Sequence, residues 1–218
     1  MLPSKANGAE RTVENRRQVA YDLLVVFTII FATDVLVAYY IQLYYPTIIL
    51  WALLPLIVQL VVRRGTIRDL GFQRTNFRRS LPRYLGLVAV WALLTLVVLA
   101  IGHAGAALSL EYSAYLATVF FHPAFVEELN FRGFLQTRLE RLFSLRKAIV
   151  IQAAVFALYH VPAVLPTSSA YLMSIGGVWY PVITFPFGIA LGIIYARTRN
   201  LFVTMAIHGS LLALFVFL

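Results

Sequence analysis

The 218-residue chain has no cysteine, which excludes disulfides, thiol nucleophiles and cysteine metal sites. It is also short of charge. Only 12% of residues are Asp, Glu, Lys or Arg, where a soluble domain of this size carries about 25%. Acidic residues are scarcest: nine, against 18 Lys and Arg. Three chemical signatures are missing as well. There is no His-Glu-x-x-His, so a helix-borne zinc protease site is absent. No glycine loop fit to cradle a phosphate occurs. No serine sits in a strand-turn-helix elbow or a Ser-x-x-Lys pattern, so serine chemistry has no support.

What is present is apolar: 61% of residues are hydrophobic. This composition predicts a membrane protein. The net charge of +9 would suggest nucleic acid in a soluble protein. Here the arginines cluster between apolar runs and read as topology signals and lipid-headgroup contacts, not a nucleic-acid surface.

The pattern predicts an all-α, multi-pass helix bundle of seven spans in one domain (19–218), behind a basic tail (1–18). The first span runs from Val19 to about Tyr45, is interrupted by Asp22 and Asp34, and is too long for a signal-peptide core. Thr47–Val62, with Pro55, is the second, and Tyr84–Ile101 the third. The fourth runs from Tyr112 to about Asn130. Phe131–Lys147 is amphipathic and basic and is expected at or below the interface. Ala148–Val164, Val178–Ala196 and Leu201–Leu218 complete the set. With the tail in the cytoplasm, the tail, Arg63–Arg83, Phe131–Lys147 and Arg197–Asn200 hold all 18 basic residues, and the outside loops hold none. The N-terminus is therefore expected in the cytoplasm and the C-terminus outside.

Against this background Glu127-Glu128-Leu129-Asn130-Phe131-Arg132 stands out. An ionisable group at membrane depth costs at least ~2.5 kcal/mol and usually marks a site. Adjacent helical residues point about 100° apart, so the two glutamates cannot share a role. Glu128 and Arg132 are four apart, with the acid first, the favourable order for an ion pair. Glu127 is left free for a partner on another helix. The bland alternative is a helix leaving the membrane with a charged end.

His160, four residues after Phe156 and on its face, and His208 fall at similar depth in the cytoplasmic half. Either histidine alone reads as a hydrogen-bonded core residue; the coincidence with the Glu pair points to a site. The three should then converge, with polar atoms within about 3–7 Å, wide enough for a water or a metal. A glutamate near a histidine can deprotonate water for attack on an amide, and a second histidine can donate to the oxyanion or the leaving amine. One Glu and two His can equally hold a zinc ion. Asp34 reads as a structural partner or a proton or ion site. His122 reads as core, His103 as solvated, and Gln152 and Thr204 as internal hydrogen bonders.

Glu127-Glu128-x-x-x-Arg132, then Phe156-x-x-x-His160, then His208 resemble the three motifs of the CPBP (CAAX protease and bacteriocin-processing, or Abi) family of intramembrane proteases, which includes the type II CAAX prenyl endopeptidases. The similarity covers about Tyr112 to the C-terminus and includes the Gly188–Leu201 run-up to the last histidine. It implies a multi-pass cell-membrane endopeptidase acting on a peptide or protein at the bilayer. It also implies Glu127 as water-activating base, His160 as its partner, Glu128 and Arg132 as support, and His208 on water, metal or oxyanion. The family usually has Asn four residues after the last histidine; this chain has Leu212, which cannot donate a hydrogen bond. That departure favours a second expectation, a weak or inactive member acting as a scaffold or immunity protein. A proton-relay transporter is a third, but it calls for paired broken helices in two related halves, and no such repeat is visible.

Overall fold

The computed structural model describes residues 5–39, 44–73, 120–162 and 179–215, and positions 86, 89 and 93 between them. At 5–14, 38–39, 44–45, 120–123 and 211–215 only the backbone is described. Apart from positions 86, 89 and 93, the third span expected from the sequence lies outside these residues, as do the start of the fourth and the 166–177 loop.

Most of the described residues are helical, with no strand among them. Helix α1 is Lys5–Tyr39. It begins well before Val19, so the basic stretch and the first apolar run form one helix. Helix α2 is Tyr44–Ile57, with Pro55 inside, and it ends in a π-helical turn, Val58–Val62. A single 3-10 turn, Ile67–Leu70, follows. Helix α3 (120–142) is wound as π-helix over Phe120–Glu127 and Leu129–Gln136 and as α-helix over Thr137–Leu142. Then come α4 (Leu145–Tyr159), α5 (Tyr180–Thr198) and α6 (Leu201–Phe215). Two stretches are long and apolar enough to cross a membrane, Asn15–Val37 and Tyr180–Thr198. Pro46–Val62 and Leu201–Ser210 are apolar but shorter.

The segment 131–147 is not the single amphipathic helix expected from its basic pattern. Leu129–Gln136 is buried on every side, and the chain breaks at Phe143 and Ser144 before α4 starts. The pattern misleads because two of its arginines are spent internally. Arg132 pairs with Glu128. Arg138 lies 3.5 Å from Asp22, donates to Gln59 Oε1 at 3.1 Å and stacks 3.5 Å over the Phe134 ring. Burial pulls its guanidinium down to about 10, against the opposing pull of Asp22. Asp22 also accepts two hydrogen bonds from Arg63, at 2.9 and 2.6 Å, which holds Arg63 above the usual arginine range. The acid that interrupts the first apolar run is thus the point where α1, α2 and α3 are pinned together.

Helices α4 and α5 approach closely because Gly188-Ile-Ala-Leu-Gly192 presents small residues one turn apart. A Cβ on Gly188 would sit 3.1 Å from Ala153 Cα, and one on Gly192 would sit 2.7 Å from Gln152 Nε2. Both glycine carbonyls are used: Gly188 O accepts from Gln152 Nε2 at 2.7 Å and Gly192 O from Gln136 Nε2 at 3.0 Å. The turn from α5 to α6 is closed by Asn200, whose side chain accepts from Phe202 N and donates to Gln73 O, both at 2.9 Å. Aromatic rings fill the centre: Phe131 lies 5.7 Å from Phe27, 4.9 Å from Phe156 and 5.4 Å from Tyr159. This packing fixes α3 against α1 and α4, while α6 packs on α3 and α5; α3, α4 and α6 each carry one part of the polar cluster.

Candidate active site

Helix α3 carries both glutamates, and its winding turns them apart. Glu128 is fully buried and points to α6. Its Oε1 accepts from Arg132 Nη1 at 2.8 Å and from His208 Nδ1 at 2.9 Å. The Arg132 guanidinium is also fully buried, lies 4.5 Å over the Phe156 ring and has Nη2 3.5 Å from Gly188 O. One carboxylate thus ties α3 to itself and to α6, while the arginine reaches α4 and α5.

Glu127 faces the histidines. Its Oε2 lies 3.9 Å from His160 Nε2 and 3.9 Å from His208 Nε2, and it makes no hydrogen bond. His160 caps the C-terminus of α4, and its Nδ1 lies 2.7 Å from Phe156 O. A carbonyl only accepts, so Nδ1 carries the proton there. His208 Nδ1 faces the Arg132-bound carboxylate of Glu128 in the same way. In the neutral imidazoles both Nε2 atoms are therefore lone-pair acceptors. Three Lewis-basic atoms surround one point, and what fits between them is a hydrogen-bond donor or a cation.

Aromatic rings wall the site. Phe156 and Tyr180 lie 4.7 and 5.1 Å from His160, and Phe187 lies 5.1 Å from His208. Phe156, singled out for its spacing to His160, thus supplies both a ring contact and the carbonyl that fixes the tautomer. Asp34, on α1, has its Oδ2 buried without a hydrogen bond among the described residues.

The donor set has the chemistry of a zinc site but not its spacing. Two imidazole nitrogens and a carboxylate oxygen, two of them oriented by outer partners, are suitable atom types. Ligands at ~2.0–2.1 Å on one tetrahedral ion lie about 3.3 Å apart. The 3.9 Å separations are wider, and among the described residues no group of three His, Cys, Asp or Glu could hold a metal ion as placed. The set does not fit zinc without side-chain movement.

Thr204 is the internal hydrogen bonder expected from the sequence: its hydroxyl is fully buried and donates to Leu201 O at 3.0 Å, so its hydrogen is committed to its own helix. Leu212 lies on α6 one turn past His208, and its side chain, like that of His122, lies outside the described residues; His103 lies outside them altogether. Sequence reasoning missed Asn130 and Gln136. Asn130 Nδ2 donates to Trp51 O at 3.0 Å and to Val126 O at 2.8 Å, tying α3 to α2. Gln136 follows Glu128 and Arg132 at four-residue steps, and that spacing is the signal that could have found it.

Fold and site together define an all-helical protein with a buried glutamate–histidine centre between three helices. The family model described as type II CAAX prenyl endopeptidase Rce1-like matches residues 109–214, so the half of the chain that carries the whole cluster is similar to that family of proteases. The resemblance drawn from the three motifs holds over the same stretch. No curated protein and no solved structure matches the chain.

Proposed function

We propose that the protein is a membrane-embedded endopeptidase in which Glu127 activates water against a peptide bond of a membrane-associated substrate. The observation that carries this is the placement of Glu127 Oε2 at 3.9 Å from two imidazole Nε2 atoms, both with lone pairs turned inward. A water between them donates one hydrogen to Glu127 and one to an imidazole. As its oxygen bonds to the amide carbon, Glu127 takes the proton and passes it to the departing nitrogen. An imidazole that has taken up a proton becomes a donor for the oxyanion. Glu128 and Arg132 do not touch the reacting atoms; they hold His208 in its tautomer.

The chain is read as a multi-pass cell-membrane bundle of seven spans with a cytoplasmic N-terminus and the site in the cytoplasmic half. Two apolar helices of spanning length support it. So do large apolar side chains exposed on several helices, among them Leu24, Leu53, Val61, Leu158 and Val182, where lipid would cover them.

A second reading, a non-catalytic scaffold or immunity protein that uses the same cluster for binding, is favoured by Leu212 at the position where the resembled family supplies a donor. Proteolysis of a labelled membrane peptide by wild type and Glu127→Ala, each with and without a chelator, separates the readings. Cleavage lost in Glu127→Ala and indifferent to chelator supports metal-free water activation. Loss with chelator assigns the point between the three basic atoms to a metal. No cleavage by wild type favours binding.

A further inference from the structure

Hydrolysis of an amide between uncharged groups creates two ions. Water adds its oxygen to the carbonyl carbon, the C–N bond breaks, and the products are a carboxylate and an alkylammonium. In an apolar cavity each needs a partner of opposite charge. The cluster supplies groups for the carboxylate in its imidazoles. Glu127 is ionised again once it has passed its proton to the departing nitrogen, and it must be free of the cation to take up the next water, which a second carboxyl allows.

Asp34 is placed to be that group. It lies in the apolar stretch Asn15–Val37, on the inward face of α1 one turn beyond the buried Ile30 and its neighbour Phe31. Phe31 packs 6.4 Å edge-on to Tyr159, whose ring lies 5.1 Å from that of His160. The neighbouring Thr33 accepts from Trp51 Nε1 at 2.7 Å, which anchors this turn of α1 against α2. Asp34 itself has no ion pair among the described residues, and its buried Oδ2 has no hydrogen bond. A carboxyl so placed requires a proton or a cation. The Phe31–Tyr159–His160 ring contacts place this turn of α1 beside the histidine end of the site.

We propose that Asp34 binds the alkylammonium of the leaving fragment, the new N-terminus formed by cleavage. The inference rests on the endopeptidase reading. A lysine side chain of the substrate offers the same chemistry, and the experiment separates the two sources.

The test is equilibrium binding of three labelled peptides to the intact Glu127→Gln protein in liposomes, in the Asp34 and Asp34→Asn backgrounds. The first is a product-like peptide with a free amino terminus. The second is its N-acetylated form. The third is an acetylated peptide with one internal lysine. The Asp34 protein should bind the free-amine peptide about tenfold more tightly than the acetylated one, as a charge-assisted hydrogen bond allows. Asp34→Asn should lose this preference and keep its affinity for the acetylated peptide, which also shows that the variant is folded. Preference for the internal lysine in place of the free terminus overturns the leaving-group assignment. Equal binding of all three in the Asp34 background overturns a cation role for Asp34 and leaves the proposed function standing. No binding of any peptide overturns both.

Discussion

Replacing Arg132 by Met should be among the most damaging single changes in the chain. Arg132 and Glu128 are both fully buried and pair at 2.8 Å. Arg132→Met keeps the chain length and the packing on Phe156 but removes the cation. Glu128 is then left with only the His208 Nδ1 contact at 2.9 Å. Breaking a buried pair in this way costs about 3–5 kcal/mol, because an uncompensated charge remains. At roughly 2–4 °C per kcal/mol for a chain of this length, the melting temperature should fall by about 6–20 °C. Removing both charges should rescue the loss. In Glu128→Gln/Arg132→Met no buried charge is stranded, and the double variant should recover at least about 2 kcal/mol of the summed single losses. Thermal unfolding in detergent, followed by fluorescence of the three tryptophans, reads all four proteins of the cycle. A loss below about 1 kcal/mol for Arg132→Met, or a double variant as unstable as the sum of the singles, would refute the reasoning.

Two further perturbations test the packing that brings the site together. Gly192→Leu places a side chain where even a Cβ lies 2.7 Å from Gln152 Nε2 and 3.1 Å from Gln136 Oε1; it should cost about 1–3 kcal/mol as overpacking, measured by the same unfolding assay, while an exposed control such as Val182→Leu should be near neutral. Asp22→Ala strands Arg138, which is 3% exposed, and should destabilise by about 3–5 kcal/mol, whereas Asp69→Ala at the exposed 3-10 turn should lose no more than about 1 kcal/mol.

Much of the cluster was legible because its parts lie on single helices. The 100° step between Glu127 and Glu128, the four-residue step to Arg132 and the step from Phe156 to His160 are local periodicities. The structure shows their contacts as a 2.8 Å ion pair and a 4.7 Å ring contact. The similar depth of His160 and His208 came from counting residues inward from basic turns. What could not be read was the bond between Glu128 and His208, 80 residues apart, since it depends on how α6 lies on α3. Arg138 misled for the same reason: it counts as surface charge until Asp22 and Gln59 are known as its partners, so a segment whose first half is buried looked like an interfacial helix. The π-helical winding of α3 has no periodic signature in the sequence at all. Nor could spacing alone show that Thr204 spends its hydroxyl hydrogen on Leu201 O.

The central claim is that Glu127 deprotonates the attacking water, with Leu212 standing where the resembled family places a donor. A cleavage time course in liposomes for wild type, Glu127→Gln, Leu212→Asn and the double variant tests it most directly. Wild type should turn over slowly. Leu212→Asn should raise turnover with little change in substrate binding, since the new donor acts mainly in the transition state. Both proteins carrying Glu127→Gln should be inactive. Cleavage that survives Glu127→Gln in either background would contradict the account.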